Sequence, residues 1–162
     1  MVNVDPHIID ILASVHDPEV PVLSVIDLGV VKDVTVDDKN VMVNIIPTYS
    51  GCPAMDTIAD DIRTAFSEKG FTASVELQLS PAWTTDMISD KGREALEAYG
   101  IAAPLSEGLD KSALIDGKKV VTCPQCQSTN TTVVSQFGST ACKALFKCND
   151  CLEPFDYFKC LK

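Results

Sequence analysis

The chain has 162 residues, 46% of them hydrophobic, and its 13 basic and 23 acidic side chains give a net charge of −10 at pH 7. This length suits one ordinary domain and a small second one, and the hydrophobic content is sufficient for packed cores. A surface this acidic repels phosphate backbones, so nucleic acid is excluded as an expected partner. No apolar run approaches the roughly 20 residues of a membrane-spanning helix, so we expect no membrane partner either.

The amino-terminal part predicts a helix followed by a hairpin. The helix is expected to begin after Asp5, with Pro6 in its first turn, and to end before Asp17-Pro18 because the residue before a proline avoids the α region. The segments on either side of residues 37–40 are rich in β-branched side chains, which indicates two strands joined by a turn.

A second helix is expected to begin at Pro53, within the sequence PTYSGCPAMD. Pro53 suits its first turn, and apolar residues recur at helical spacing until Gly70. In ASVELQLS, Val75, Leu77 and Leu79 alternate with other residues, which predicts a third strand, and a further helical region follows. This order of elements predicts a small α/β module with a mixed sheet.

Charge divides the chain into two parts. Residues 1–117 carry 7 basic and 20 acidic side chains, which sum to −13, whereas residues 118–162 carry 6 and 3, which sum to +3. This asymmetry is typical of two modules with different partners. We therefore predict an α/β domain over residues 1–104, a linker over 105–119 and a four-cysteine domain over 120–162.

The carboxy-terminal domain contains two short cysteine pairs, CPQC and CNDC, separated by 21 residues. A two-residue gap lets both thiolates of a pair face one ion, and two pairs complete a tetrahedral site of the zinc-ribbon type. Zn²⁺ is the expected ion, an iron–sulfur centre is the alternative, and reduced cysteines packed as small apolar residues are the third interpretation. The predicted ligands are Cys123, Cys126, Cys148 and Cys151.

Two more cysteines, Cys142 and Cys160, lie in the same domain. They are interpreted either as buried filler or as extra ligands. The opening segment MVNVDPHIID lacks the features of a secretory signal, so we expect a cytoplasmic location, where paired cysteines serve as metal ligands or redox groups rather than disulfides.

The seventh cysteine, Cys52, stands apart from the others in a Gly-Cys-Pro turn. At the start of a helix, the positive end of the dipole is expected to lower the pKa of its thiol, and Gly51 permits positive φ. A nucleophilic thiol, a metal-binding thiol and a structural cysteine all fit this position. As a nucleophile, Cys52 would need a base such as His16.

Three segments carry a resemblance to a known family. DPEVPVLSVIDLGVV, PTYSGCPAMD and SPAWTTDMISDKGREALEAYGIAAP together resemble the SufT-like metal–sulfur cluster assembly family over about residues 6–104. With the cysteine-rich segment that follows, the chain is similar to the family of D subunits of phenylacetyl-CoA epoxidase systems. No glycine follows Cys126, although zinc ribbons commonly have one at this position.

The resemblance implies an accessory, non-enzymatic role in aerobic phenylacetate degradation. It implies that the protein matures or delivers an iron or iron–sulfur centre to the oxygenase or reductase subunits, or acts with other cluster-assembly proteins. One protein sulfur cannot hold a cluster, so a homodimer or a partner must complete the site. A purely structural docking subunit is the remaining alternative. Carried over from the family motifs, the site residues are Asp17, Glu19, Thr48, Gly51, Cys52 and Pro53.

Overall fold

The computed structural model describes residues 4–105 and 121–159, and these fall into two units. The first unit contains residues 4–83 and 87–92, and the second contains 84–86, 93–105 and 121–159. Apart from Leu105, the predicted linker lies outside the described residues. The predicted domain boundary at residue 104 therefore stays a prediction.

The first helix, α1, spans Pro6–Ala13 and is capped as the sequence predicts. The carboxylate of Asp5 accepts a hydrogen bond of 2.9 Å from the backbone N–H of His7, which satisfies one of the unpaired donors of the first turn. The buried face of α1 consists of Ile8, Ile11 and Leu12.

A three-stranded mixed sheet forms the centre of the first unit. Strands β1 (Val31–Asp37) and β2 (Asn40–Ile45) form the predicted antiparallel hairpin, and β3 (Thr72–Leu77) pairs in parallel with β2. The strand order is β1-β2-β3. The small mixed sheet predicted from the sequence is thereby confirmed.

Helix α2, Ala54–Glu68, connects the two parallel strands. It begins one residue after Pro53 and is followed by Gly70, whose φ of +80° suits a residue just past a helix end. Its apolar side chains recur at helical spacing, so they all lie on one face, and this is the face that the helix buries. These buried side chains are Ala54, Met55, Ile58, Ile62 and Phe66.

Two leucines of the segment that predicts the third strand are exposed. Leu77 and Leu79 are 54% and 70% exposed. β3 lies at the edge of the sheet and ends at Leu77, so Leu79 lies beyond the strand. Val75, in the middle of the strand, is half-buried.

The predicted third helical region is divided into a short 3₁₀ turn, Thr85–Met87, and helix α3, Asp90–Tyr99. Ser89 separates them, and its hydroxyl accepts a 2.9 Å hydrogen bond from the N–H of Gly92 while donating to the carboxylate of Asp27 at 2.8 Å. This serine therefore caps α3 and ties its start to the first unit. Within the described residues, no helix is both long and apolar enough to span a bilayer.

The second unit contains a four-stranded sheet with the order β4-β7-β6-β5. Strands β5 (Thr131–Ser135) and β6 (Lys143–Cys148) form an antiparallel hairpin between the cysteine pairs, and β7 (Pro154–Phe158) lies antiparallel to β6. The two-residue strand β4, Ile101–Ala102, pairs in parallel with β7. This last pairing was not predicted.

Residues that precede the cysteine-rich segment are built into the second unit. The guanidinium of Arg93 donates to the carbonyl oxygens of Thr85 and Pro104 at 2.6 Å each. The backbone N–H of Leu105 donates to the hydroxyl of the fully buried Tyr157 at 3.1 Å. These bonds, together with β4, make residues 84–86 and 93–105 part of the cysteine-containing unit.

Tyr157→Phe is expected to loosen this attachment. The substitution leaves the N–H of Leu105 without its acceptor, which costs about 1 kcal/mol or more for a partly buried donor. Amide hydrogen exchange at Leu105 should therefore accelerate, and urea unfolding should begin at lower concentration. Tyr99→Phe removes a hydroxyl from a tyrosine that is 60% exposed and serves as the control. Equal exchange at Leu105 in the wild type and both variants would contradict the attachment.

Candidate functional site

The turn between β2 and α2 places Cys52 two residues before the first residue of the helix, Ala54. The backbone N–H of Cys52 donates to the carbonyl of Tyr49 at 3.2 Å, and the carbonyl of Cys52 accepts from Met55 at 3.3 Å. Gly51 has φ of +80°, a conformation that favours glycine over residues with a Cβ atom. The sequence Tyr-Ser-Gly-Cys-Pro therefore forms a tight turn that leads into the first turn of α2.

A second loop, which begins at Asp17, is shaped by a buried carboxylate. Asp17 is 7% exposed, and its Oδ1 accepts hydrogen bonds from the backbone N–H groups of Glu19 at 2.7 Å and Val20 at 2.8 Å. The N–H of Asp17 itself donates to the carbonyl of Leu23 at 2.9 Å. Asp17 thus fixes the backbone that carries Glu19.

The thiol of Cys52 is half-buried, and its surroundings determine how readily it ionises. Burial raises the pKa of the Cys52 thiol, and the negative charge of Glu19 raises it further. Hydrogen bonds from the backbone of Ala54 and from the side chains of Thr48 and Tyr49 act in the opposite direction and are outweighed. The predicted lowering of this pKa is therefore wrong, because desolvation of the thiolate exceeds the effect of the helix start.

The structure brings three of the sequence-predicted residues together. Glu19 and Thr48 act directly on the thiol of Cys52, whereas the carboxylate of Asp17 faces the backbone of its own loop. Sequence reasoning missed Tyr49, although it lies within the quoted motif. The signal available in the sequence was the position of Tyr49 next to Thr48 in the same tight turn.

His16, the base considered for a thiol enzyme, is bonded elsewhere. Its Nδ1 lies 3.1 Å from the carbonyl oxygen of Ser14, and its ring is exposed in a groove that also contains Asp61 and Glu68. The strongest influences on the pKa of Cys52 do not include His16. This arrangement does not favour His16 as the base for Cys52.

Glu19→Gln is expected to make Cys52 more reactive. Removing the negative charge lowers the pKa of the thiol, so more thiolate is present at pH 8 and alkylation is faster. The measurement is the pH dependence of iodoacetamide labelling, followed by mass spectrometry of the peptide that contains Cys52. Glu76→Gln makes the same charge change on an exposed position of β3 and serves as the control. Unchanged or slower labelling in Glu19→Gln would contradict the assigned electrostatics.

The four predicted ligands of the carboxy-terminal domain converge. Their sulfur atoms all lie within 4.8 Å of one another, with Cys123 and Cys151 separated by 3.8 Å and Cys126 and Cys148 by 3.6 Å. A tetrahedral ion with metal–sulfur bonds of about 2.3 Å places its sulfur ligands about 3.8 Å apart. The cluster therefore has the ligand type and spacing of a closed metal site.

The thiols of this cluster differ in how readily they lose a proton. Backbone N–H groups of Cys151 and Asp150, with help from neighbouring thiols, lower the pKa of Cys148 to about 7. The backbone of Glu153 favours the thiolate of Cys151, but burial and the neighbouring thiols outweigh it and raise that pKa to about 12. Closely spaced thiols cannot all ionise together, so an entering cation must displace protons from them.

The residue after each cysteine pair has an unusual backbone. Gln127 and Leu152 have φ of +60° and +66°, in the left-handed region where glycine is favoured. Although no glycine follows Cys126, the chain still forms this turn. Gln127 therefore takes a backbone conformation that is strained for a residue with a Cβ atom. Leu152 is also 64% exposed, so its side chain contributes little packing.

Of the two extra cysteines, Cys142 lies outside the metal-binding group. It is buried, and its sulfur is 3.0 Å from the hydroxyl of Thr140. Among the described residues, the group consists only of the four paired cysteines. Cys160 lies outside the described residues, so its predicted role as filler or ligand stays a prediction.

Leu152→Gly is expected to stabilise the metal-bound second unit by about 1 kcal/mol, because glycine adopts positive φ without strain. Thermal unfolding of the zinc-loaded protein is the measurement. Leu152→Ala removes the same exposed side chain but retains the strain, so it should give no such gain. A loss of stability in the glycine variant would show that the leucine side chain contributes more than its strained backbone costs.

Comparison with known families assigns both parts of the chain. Residues 6–76 match the family described as "Iron-sulfur cluster assembly protein", and residues 109–159 match the "PaaD zinc beta ribbon domain". A crystal structure titled "Domain of Unknown Function DUF59 from Bacillus anthracis" is 27% identical with a TM-score of 0.53, covering 56% of this chain and 89% of that one. The fold and sites therefore define an iron–sulfur assembly domain combined with a zinc ribbon.

Two curated relatives narrow this class. An Escherichia coli K12 protein named as the D component of a "Putative 1,2-phenylacetyl-CoA epoxidase" is 47% identical over 152 residues, which is 93% of this chain and 90% of that protein. A Porphyromonas gingivalis W83 protein named "Fe-S protein maturation auxiliary factor" is 39% identical over 52% of this chain and 82% of its own length. The chain belongs to the family of the phenylacetyl-CoA epoxidase D subunit.

Proposed function

We propose that this chain is an accessory protein that matures or delivers an iron or iron–sulfur centre for the oxygenase or reductase of a phenylacetyl-CoA epoxidase system. It is not itself the enzyme that oxidises the ring. Its extensive identity with a D subunit supports the system, and the assembly-family match of its first domain supports the activity. Because such a role needs reduced thiols, we place it in the cytoplasm.

The environment of Cys52 is the observation that carries this proposal. A half-buried sulfur stands at the start of α2 with the carboxylate of Glu19 and the hydroxyls of Thr48 and Tyr49 around it. A thiolate and a carboxylate are suitable iron ligands, and hydroxyl donors stabilise a sulfur that carries negative charge. Asp17 contributes by holding the loop of Glu19 in place.

The site is incomplete in a way that suits transfer. Cys52 supplies one sulfur and Glu19 at most two oxygens, whereas a tetrahedral iron needs four ligands. We propose that the missing ligands come from a second copy of the chain or from the recipient protein. Iron or cluster is then cargo rather than a resident cofactor.

The four-cysteine group has a different proposed role. Four sulfur ligands saturate a tetrahedral ion and leave no position for a substrate, which is characteristic of structural zinc sites. We propose that Zn²⁺ binds Cys123, Cys126, Cys148 and Cys151 and contributes folding free energy to the second unit. The "zinc beta ribbon" family match supports zinc over iron at this position.

Cys52→Ser is expected to remove the proposed maturation function of this chain without unfolding it. Serine is nearly isosteric with cysteine, but its hydroxyl does not ionise at neutral pH and is a poor iron ligand. The test measures ring epoxidation of phenylacetyl-CoA in cells that carry only this variant, together with the metal content of the purified oxygenase and reductase. We expect activity to fall at least tenfold and the partner proteins to contain less iron.

Cys142→Ser makes the same chemical change at a cysteine outside the metal-binding group and is the matched control. Its cells should retain activity if the protein accumulates normally. Anaerobic incubation of the purified proteins with Fe²⁺ and sulfide provides a direct binding measurement. Full activity and full partner iron in Cys52→Ser cells would show that the thiol is structural and would favour a docking role for the chain.

A further inference from the structure

A network of polar side chains joins the two cysteine pairs. The carboxylate of Asp150, in the second pair's CNDC segment, accepts a hydrogen bond from the hydroxyl of Ser128 and another of 2.8 Å from the side-chain amide of Asn130. Ser128 and Asn130 follow the first pair by only a few residues. A single carboxylate therefore connects the two chain segments that supply the four sulfur atoms.

The same residues also contact the sulfur atoms. The backbone N–H of Ser128 donates to the thiol of Cys126, and the backbone N–H of Asp150 donates to the thiol of Cys148. Ser128 and Asp150 thus each orient a sulfur of their own cysteine pair through a backbone N–H, and their side chains are hydrogen-bonded to each other. Such donors to metal-bound sulfur orient the ligands and offset their negative charge.

Asn149 adds a second connection beside the first. Its backbone N–H donates to the carbonyl of Asn130 at 2.8 Å, and its side-chain amide donates to the Oδ1 of Asn130 at 3.1 Å and to the hydroxyl of Thr132 at 2.9 Å. Asn149 and Asp150 lie between the cysteines of the second pair. Both therefore hydrogen-bond to the segment that follows the first pair.

This network lies at the surface. Asn130, Asn149 and Asp150 are exposed, so their hydrogen bonds contribute little to the free energy of folding compared with the buried aromatic cluster of the same unit. The two cysteine pairs are 21 residues apart in sequence, and the network joins them in addition to the β5–β6 pairing, which sets Thr131 opposite Cys148.

We propose that Asp150 is a positioning residue of the four-cysteine site, holding the two cysteine pairs at metal-binding distance through Ser128 and Asn130. It acts by hydrogen-bond geometry and does not contact the ion. Residues in this position around metal sites typically change metal affinity by about 10–100-fold when removed. The inference rests on the proposed zinc site of the four cysteines and does not depend on the proposed role of Cys52.

The test uses the full-length, zinc-loaded protein and measures the rate of zinc transfer to a chromogenic chelator. Asp150→Ala should release zinc at least tenfold faster than the wild type. Asp150→Asn retains a side-chain oxygen for Asn130 and an amide that pairs with the hydroxyl of Ser128, so its rate should stay within about threefold of the wild type. This pair of variants separates hydrogen-bond geometry from charge.

Asp156→Ala is the matched control. Asp156 also accepts a serine hydroxyl, from Ser139 at 3.2 Å, but it belongs to β7 and contacts the turn before β6 rather than a cysteine pair. Its zinc release should match the wild type. Equal release from Asp150→Ala and the wild type would overturn the proposal, and so would equal acceleration in Asp150→Asn and Asp150→Ala, since charge would then explain the effect.

Cobalt substitution gives a readout that a merely structural role would not change. In Asp150→Ala the absorption bands of the tetrahedral Co²⁺–thiolate site should shift or broaden, whereas Asp150→Asn should reproduce the wild-type spectrum. If Asp150→Ala does not fold, Ser128→Ala removes one of the two bonds to Asp150, together with the 3.0 Å bond that the Ser128 hydroxyl accepts from the N–H of Asn130, and should also accelerate zinc release. An unchanged rate in Ser128→Ala would then count against the proposal.

Discussion

The parallel pairing of β2 with β3 is the constraint on which the first unit depends. Two parallel strands cannot be joined by a tight turn, so the chain must return to the start of the sheet through a crossover, which α2 provides. Residues 46–53 connect the end of β2 to the start of α2. This connection closes with a turn in which Gly51 takes positive φ. Cys52 therefore lies in the crossover that the parallel pairing requires.

The acidic pair in the sequence DPEVP illustrates how burial separates two similar residues. Asp17 is almost fully buried, and a buried carboxylate needs hydrogen-bond donors, which the N–H groups of Glu19 and Val20 supply. These bonds fix the backbone of the loop that carries Glu19, whose negative charge raises the pKa of the Cys52 thiol. The two acids therefore have different tasks: one shapes the loop and the other contributes charge to the site.

The sequence predicted most helices and strands because their signals are local. Asp5 and Pro6 mark a helix start, and paired cysteines two residues apart indicate a metal site whatever surrounds them. The pairing of β4 with β7 could not be predicted, since two residues have no detectable periodicity. The direction of the pKa shift at Cys52 could not be predicted from the sequence either, because it depends on how much solvent the folded chain removes from the thiol. Local rules and a family resemblance thus identified the candidate site residues but did not determine their electrostatics.

Coordination number distinguishes the two sulfur sites of this chain. Four cysteines surround one position completely, so an ion held there has no vacant site through which a recipient could attack, and its exchange requires local opening of the unit. Cys52 offers a single sulfur whose pKa is raised, so protons compete with metal for it at neutral pH. A ligand that is weak and alone binds cargo only while other groups complete the shell. Under the proposed function, replacement of those groups by ligands of the recipient is the transfer step, and a site with four protein sulfurs would prevent it.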